Sequence, residues 1–224
     1  YPLLVCSTLA AHPCTHFLAP PPATPEIYTL SLHDALPICP NLPSVPPFVI
    51  DTGHGKRSAL LDLDNTDDAQ TLRGLATTAD VFSQGYRKGA LERRGLGAED
   101  LAALRPGIIY VSINAYGHVG PWAGRPGWEQ LAQTVSGIAT DEGTLKSPRL
   151  IGAAATDYTT GYLAALGVMS ALKSRALEGG SYHVRASLCQ THIWLHSFGS
   201  LYRDAPSAEL YVGPAERLLF RSER

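Results

Sequence analysis

Apolar and polar positions follow two periods along this chain, and they mark out its elements. "SALLDLD" (58–64) is a short apolar strand pattern. "NTDDAQTLRGLATTA" (65–79) follows it with Leu72, Leu75 and Ala76 on one helical stripe. Asn65 or Thr66 can cap that helix, and acids occupy its first turn. "DVFSQG" (80–85) predicts a second strand ending in a turn. "GALERRG" (89–95) and "GAEDLAALRP" (97–106) predict short helices stopped by Gly95 and Pro106. "GIIYVSINAYG" (107–117) is the strongest strand pattern, β-branched and closed by Gly117. A Gly- and Pro-rich loop then leads into a helix from about Trp128 to Ser136, and a long helix is predicted from about Asp157 to Arg175. A strand at 182–186 and a last helix complete the pattern. Strands alternating with helices at these spacings suit right-handed βαβ crossovers, so 48–204 reads as an α/β domain on a parallel sheet.

Residues 1–47 have a different grammar. "LAPPPATP" (18–25) and "CPNLPSVPP" (39–47) are Pro-dense and read as irregular. "EIYTLSLHDALPIC" (26–39) resembles the translated read-through of a sequencing adapter, which would make the segment before about Cys39 non-native. The alternative is a disordered extension. "YPLLVCSTLAA" has the apolar character of a secretory signal but no basic start. The chain opens on Tyr and closes on "RSER", so both ends read as cut, with 205–224 as the truncated start of a linker or second domain.

Composition narrows the function classes. The chain has 224 residues, 45% hydrophobic and 17% charged, which suits a globular protein with a real core. A net charge of −2 makes no electrostatic case for a nucleic-acid or anionic-membrane partner. The run from Tyr162 to Leu172 is too short for a membrane span. Cys6, Cys14, Cys39 and Cys189 include no CxxC pair, so a reducing cytoplasm is the default.

Asp157 stands at the front of the long apolar helix, "AAATDYTTGYLAALGVMSALKSR". It can be an ordinary N-cap. The same helix-end field also favours an anionic carboxylate able to attack an activated acyl group, with neighbouring N–H groups stabilising the oxyanion. Gly161, one turn further, leaves room for a substrate or for helix packing. "GHGKRS" (53–58) offers Lys56 and Arg57 to phosphate, and "QGYRKG" (84–89) offers Arg87 and Lys88 at a strand end, where α/β folds bind ligands. Each turn is also readable as a solvated basic loop. Cys189, His192 and His196 share a helical face, but the surrounding apolar residues read as packing, and no metal is expected. His118 sits in the Gly-rich loop, as a surface His or a substrate contact.

In order along the chain, "GKRSALLDL", "ADVFSQGYRKGALERRGLGAEDLAALRPGIIYVSINAYGHVGPWAGRPGWEQLAQTVSG" and "DYTTGYLAALGVMSAL" with "GGSYHVRASL" resemble the family III CoA-transferases. These include formyl-CoA transferases, carnitine CoA-transferases and α-methylacyl-CoA racemases. The resemblance spans about Asp51 to Tyr202. It implies the parallel-sheet, Rossmann-like large domain of that fold, incomplete at both ends, and an interlocked homodimer for the intact parent. It implies Asp157 as nucleophile, with Gly161 matching the Gly of the family's "D-x-x-x-G". Lys56, Arg57, Gln84, Arg87 and Lys88 are then expected to hold the nucleotide and pyrophosphate of CoA, and Asn114 and Tyr116 to lie near the thioester. The acyl-CoA thioester and a carboxylic acid are substrates, and no cofactor is permanently bound. Racemase members carry "G-H-D" where this chain has Gly127, Trp128 and Glu129. That favours transfer over racemisation and leaves Glu129 a proton-transfer role. The alternatives are an acyl-CoA isomerase of the same fold and a non-catalytic truncated α/β module.

Overall fold

The computed structural model describes residues 61–199 and, as backbone, 3–6, 14–16 and 60. Its strands are β1 (Leu3–Cys6), β2 (Cys14–His16), β3 (Leu60–Asp62), β4 (Val81–Gln84), β5 (Ile109–Asn114) and β6 (Tyr182–Ser187). Its helices are α1 (Thr66–Ala76), α2 (Ala98–Leu104), α3 (Glu129–Ser136), α4 (Ile138–Asp141), α5 (Ala155–Glu178) and α6 (Leu188–His196). Strands β1, β4, β5 and β6 form a four-stranded sheet in that order, and every pairing is parallel. A small antiparallel pair joins β2 to β3. Two strands thus fall inside the segment read as irregular. The apolar Leu3–Cys6 stretch pairs along β4, where β-prone residues complete a ladder that would otherwise end at an open edge.

Strand β5 is buried on both faces, which is why its sequence is a nearly unbroken apolar run. On one face Phe82 and Tyr110 stack with ring centroids 5.5 Å apart and join Leu72, Leu91, Leu96 and Leu101 in a core under α1 and α2. On the other face Val81, Ile109, Val111 and Ile113 pack against Ala164, Val168 and Ala171 of α5. Small residues let the long helix lie close to the sheet. A Cβ on Gly167 would stand 2.7 Å from Val184 Cγ1. At the carboxyl end of β5, Ala115 packs with Ala132 of α3 and Leu188 of α6. Those two helices therefore roof the end of the sheet where α5 begins.

Local signals account for most element ends. Asn65 caps α1, its Oδ1 accepting from the amides of Asp67 (2.8 Å) and Asp68 (3.3 Å). The expected helix over 89–95 is only a 3-10 turn, Glu92–Arg94, ended by Gly95 at φ 65°. The segment between two closely spaced glycines is too short to nucleate an α-helix. Below the sheet, Asp80 is clasped by Arg105 (3.2 Å) and by Arg175 in the last turn of α5 (3.0 Å), and Arg175 also donates to Gly107 O (2.9 Å). This clasp ties the starts of β4 and β5 to the ends of α2 and α5.

Asp80→Ala leaves two partly buried guanidinium groups without their shared carboxylate. We expect a loss of about 1–2 kcal/mol after allowance for solvent screening, read as a lower urea midpoint at unchanged m-value.

Candidate functional site

Helix α5 begins with no cap of its own. Its N-cap is Ala154, which has no side chain to accept a hydrogen bond. Asp157 is the third helical residue, so the expectation that it is the N-cap is corrected. The cap comes instead from Glu129, the first residue of α3. Glu129 Oε1 accepts from the Thr156 amide (3.1 Å), and Oε2 accepts from the Asp157 amide (2.9 Å) and the Thr156 hydroxyl. Gln133, one turn along α3, donates to Glu129 Oε1 (2.7 Å) and Ala153 O (3.2 Å) and accepts from the Ile151 amide (2.9 Å). Four donors thus meet the roughly four lone-pair sites of one carboxylate. Glu129, Gln133, Thr156 and Asp157 are each at most 2% exposed. Burying a charge is costly unless it is fully hydrogen-bonded, and this one also lies at the positive end of a helix. The Glu129 carboxylate, which the sequence left with a proton-transfer role, is thus engaged by four hydrogen bonds at the start of α5.

Two further contacts hold this first turn. Thr160 donates to Thr191 Oγ1 (2.7 Å), which donates to Ser187 O (3.0 Å), joining α5 to α6 and the end of β6. Gly161 is buried one turn beyond Asp157.

The other expected site residues that the structure describes lie at or just after the carboxyl ends of β4 and β5, with differing engagement. Gln84 is buried, and its Oε1 accepts from the Tyr86 amide (2.7 Å). Asn114 Oδ1 accepts from the Gly117 amide (2.7 Å). Both side chains brace the turn that follows their strand. Tyr116 is half-buried, edge-on to Trp122 at 5.4 Å, and a Cβ on Gly127 would stand 2.8 Å from its ring. Burial raises the Tyr116 phenol above its ordinary range, so it stays protonated. Gly127 lies two residues before Glu129, so one short segment joins the Tyr116 ring to the carboxylate that holds Asp157. Arg125 stacks over the Trp122 ring at 4.7 Å. Arg87 and Lys88 are exposed on the turn after β4. Lys56 and Arg57 lie outside the described residues.

The Cys189 thiol is pushed up by burial, the wrong direction for a nucleophile. His192 is buried, with a lowered pKa caused first by desolvation, and His196 lies 3.5 Å from Asp141. Among the described residues no group of three such side chains is disposed to hold a metal ion.

The Glu129–Gln133 pair is the part that sequence reasoning missed. Its signal was present, as two polar residues at i and i+4 flanking the buried Ala132 on a short helix. Glu129→Ala should remove an acceptor from four donors and cost about 3 kcal/mol or more, with Glu129→Gln intermediate. Thermal unfolding and faster amide exchange confined to the first turn of α5 would check this.

A second prediction concerns His183, on β6. Burial, then Arg185, then His118 lower its pKa from 6.5 to about 4. The unfolded chain therefore takes up this proton first as pH falls. The His183 contribution to stability is intact above pH 6.5 and is lost progressively towards pH 4. The fall in urea midpoint over that window should be shallower in His183→Asn.

The sequence profile of CoA-transferase family III matches residues 40–216. An acetyl-coenzyme A transferase of Hypoxylon pulicicidum is 37% identical over 174 residues, which is 70% of this chain and 29% of that protein. A probable fatty acyl-CoA transferase of Mycobacterium tuberculosis is 30% identical over 161 residues, 71% of this chain and 41% of that one. Among solved structures, a hypothetical protein from Mycobacterium tuberculosis superposes with a TM-score of 0.66 at 29% identity, covering 76% of this chain and 50% of its own. A CAIB/BAIF family protein from Brucella suis gives 0.59 at 32% identity, covering 62% and 37%. The chain spans less than half the length of these curated relatives. With its parallel sheet, its ordered motifs and a profile match over most of its length, the chain belongs to CoA-transferase family III.

Proposed function

We propose that the protein moves CoA between carboxylic acids, with Asp157 as the nucleophile. The observation that carries this reading is a carboxylate 2% exposed in the first turn of a 24-residue helix, its own amide held by a second, fully hydrogen-bonded carboxylate. A backbone held in this way restricts where the Asp157 carboxylate can lie, which favours attack on a bound thioester.

The Asp157 carboxylate attacks the donor thioester carbonyl, expelling CoA thiolate and leaving a mixed anhydride. The thiolate attacks the aspartyl carbonyl, releasing the donor acid and forming an aspartyl-CoA thioester. The acceptor carboxylate then attacks that carbonyl and expels the thiolate again. Finally the thiolate takes the acceptor acyl group from the new anhydride, which restores Asp157. Lys56, Arg57, Arg87 and Lys88 supply charge for the nucleotide and pyrophosphate, and Gly161 and Tyr116 border the acyl group. Gln84 and Asn114 serve by holding the turns that carry these groups.

Acetyl-CoA and succinyl-CoA transferases among the relatives support transfer as the chemistry. Trp128, which has no base, stands where racemases place their His, and Glu129 has its lone pairs engaged, so transfer is favoured over isomerisation. The working form is an interlocked homodimer in the cytoplasm. No helix among the described residues is long and apolar enough to cross a membrane.

The test is exchange of labelled CoA between carboxylic acids. We expect Asp157→Ala to lower exchange by about a thousand-fold or more, and to abolish hydroxylamine trapping of the enzyme-bound thioester. Full exchange in that variant would remove Asp157 from the mechanism.

A further inference from the structure

On the α1–α2 side of the sheet, near the carboxyl ends of the strands, one hydroxyl joins two imidazoles. Ser112 Oγ lies 2.7 Å from His118 Nε2 and 2.7 Å from His183 Nε2. Ser112 is flanked in register by Gln84 of β4 and Arg185 of β6, so one row of polar side chains crosses three strands. Arg185 Nε donates to His183 Nδ1 at 3.4 Å.

That contact sets the direction of the relay. With Nδ1 accepting, neutral His183 carries its proton on Nε2 and donates it to Ser112. The Ser112 hydroxyl then donates to His118 Nε2, which leaves the His118 proton on Nδ1. Arg185 is therefore anchored through Nε, and its two terminal amino groups remain for another partner. Its side chain is exposed, and no acid among the described residues forms a salt bridge with Arg185 or Lys88. Lys88 and Arg185 both lie close enough to help lower the His118 pKa, after desolvation as the main cause, with Glu92 a weaker opposing charge. His183 feels desolvation, Arg185 and His118, and lies edge-on to the Tyr110 ring at 5.1 Å.

Two cations without acid partners among the described residues thus lie near His118, from separate elements, towards the end of the sheet where parallel α/β folds bind ligands. We propose that Arg185 and Lys88, backed by the Ser112–His118–His183 relay, bind a phosphate group of coenzyme A. The proposal rests on the CoA-transferase reading and adds Ser112, His118, His183 and Arg185 to it. Arginine supplies the forked, charge-assisted contact and lysine a point charge. A bound phosphate would offset the positive field on both imidazoles, so binding takes up protons and tightens as pH falls.

The test is calorimetric titration of the full chain with CoA, dephospho-CoA and inorganic pyrophosphate, comparing wild type with R185Q. Thermal melting serves as the folding control, and K88Q, on an exposed turn, is the second variant. We expect R185Q to weaken CoA binding about ten-fold, the equivalent of one charge-assisted contact. We also expect wild type to bind CoA more tightly at about pH 5.5 than at neutral pH. If dephospho-CoA shows no dependence on Arg185, the bound group is the 3′-phosphate; if the dependence persists, it is the pyrophosphate. Equal CoA affinity in wild type, R185Q and K88Q overturns the site. Arg185-dependent binding of pyrophosphate without binding of CoA keeps the phosphate site and removes the CoA-transferase reading. Binding of none of the three ligands removes both.

Discussion

The grip of the Glu129 carboxylate on the first turn of α5 is the constraint from which the candidate site follows. A helix end exposes several amide donors, and burying them without acceptors costs more than most single contacts return. Here the preceding chain, Ala153–Ala154–Ala155, offers no side-chain acceptor. The missing acceptor arrives from 28 residues earlier in sequence. Because Gln133 orients that carboxylate and also holds Ile151 and Ala153, the approach to α5 and its first turn form one hydrogen-bonded unit. The position of Asp157 is a consequence of that unit rather than of its own capping.

The sheet then decides what surrounds this unit. All four strands of the main sheet run the same way, so the turns after β4, β5 and β6 open at one end. Ala115, Ala132 and Leu188 close that end with small and apolar contacts, which brings α3 and α6 against the start of α5. At the opposite end Arg175, in the last turn of α5, ties the helix back to Asp80 and Gly107. A helix fixed at both ends and packed along Gly167 has little freedom to tilt, and its first turn inherits that rigidity.

The legible parts of the sequence were those set by local rules. Asn65 before "TDD", Pro106 after α2 and the apolar run of β5 each carry their own signal, and those elements fall within a few residues of expectation. The family was legible too, because its motifs keep their order from "GKRSALLDL" to "GGSYHVRASL". Interactions across the fold were not legible. Asp157 satisfies every local criterion for an N-cap, yet the helix begins two residues earlier because the true acceptor is remote. Gln84 and Asn114 were expected near the ligand; that their side-chain oxygens also close the turns after β4 and β5 depends on torsion angles rather than residue type. The Ser112 relay joins residues up to 71 positions apart, and only the parallel register of β5 with β6 brings them together.

Two carboxylates at one helix end pose a further question, because the field of a single terminus is shared between them. Glu129 accepts from the Thr156 and Asp157 amides, so those donors do not serve the Asp157 side chain. A self-capping aspartate would turn back onto its own helix and bury its reactive oxygens in the backbone. Assigning the cap to a different residue separates two tasks that an aspartate at this position would otherwise combine. Glu129 satisfies the backbone, and Asp157 is placed by it. The long-range cap, costly as a buried charge, thus fixes the backbone at Asp157 from outside its own helix.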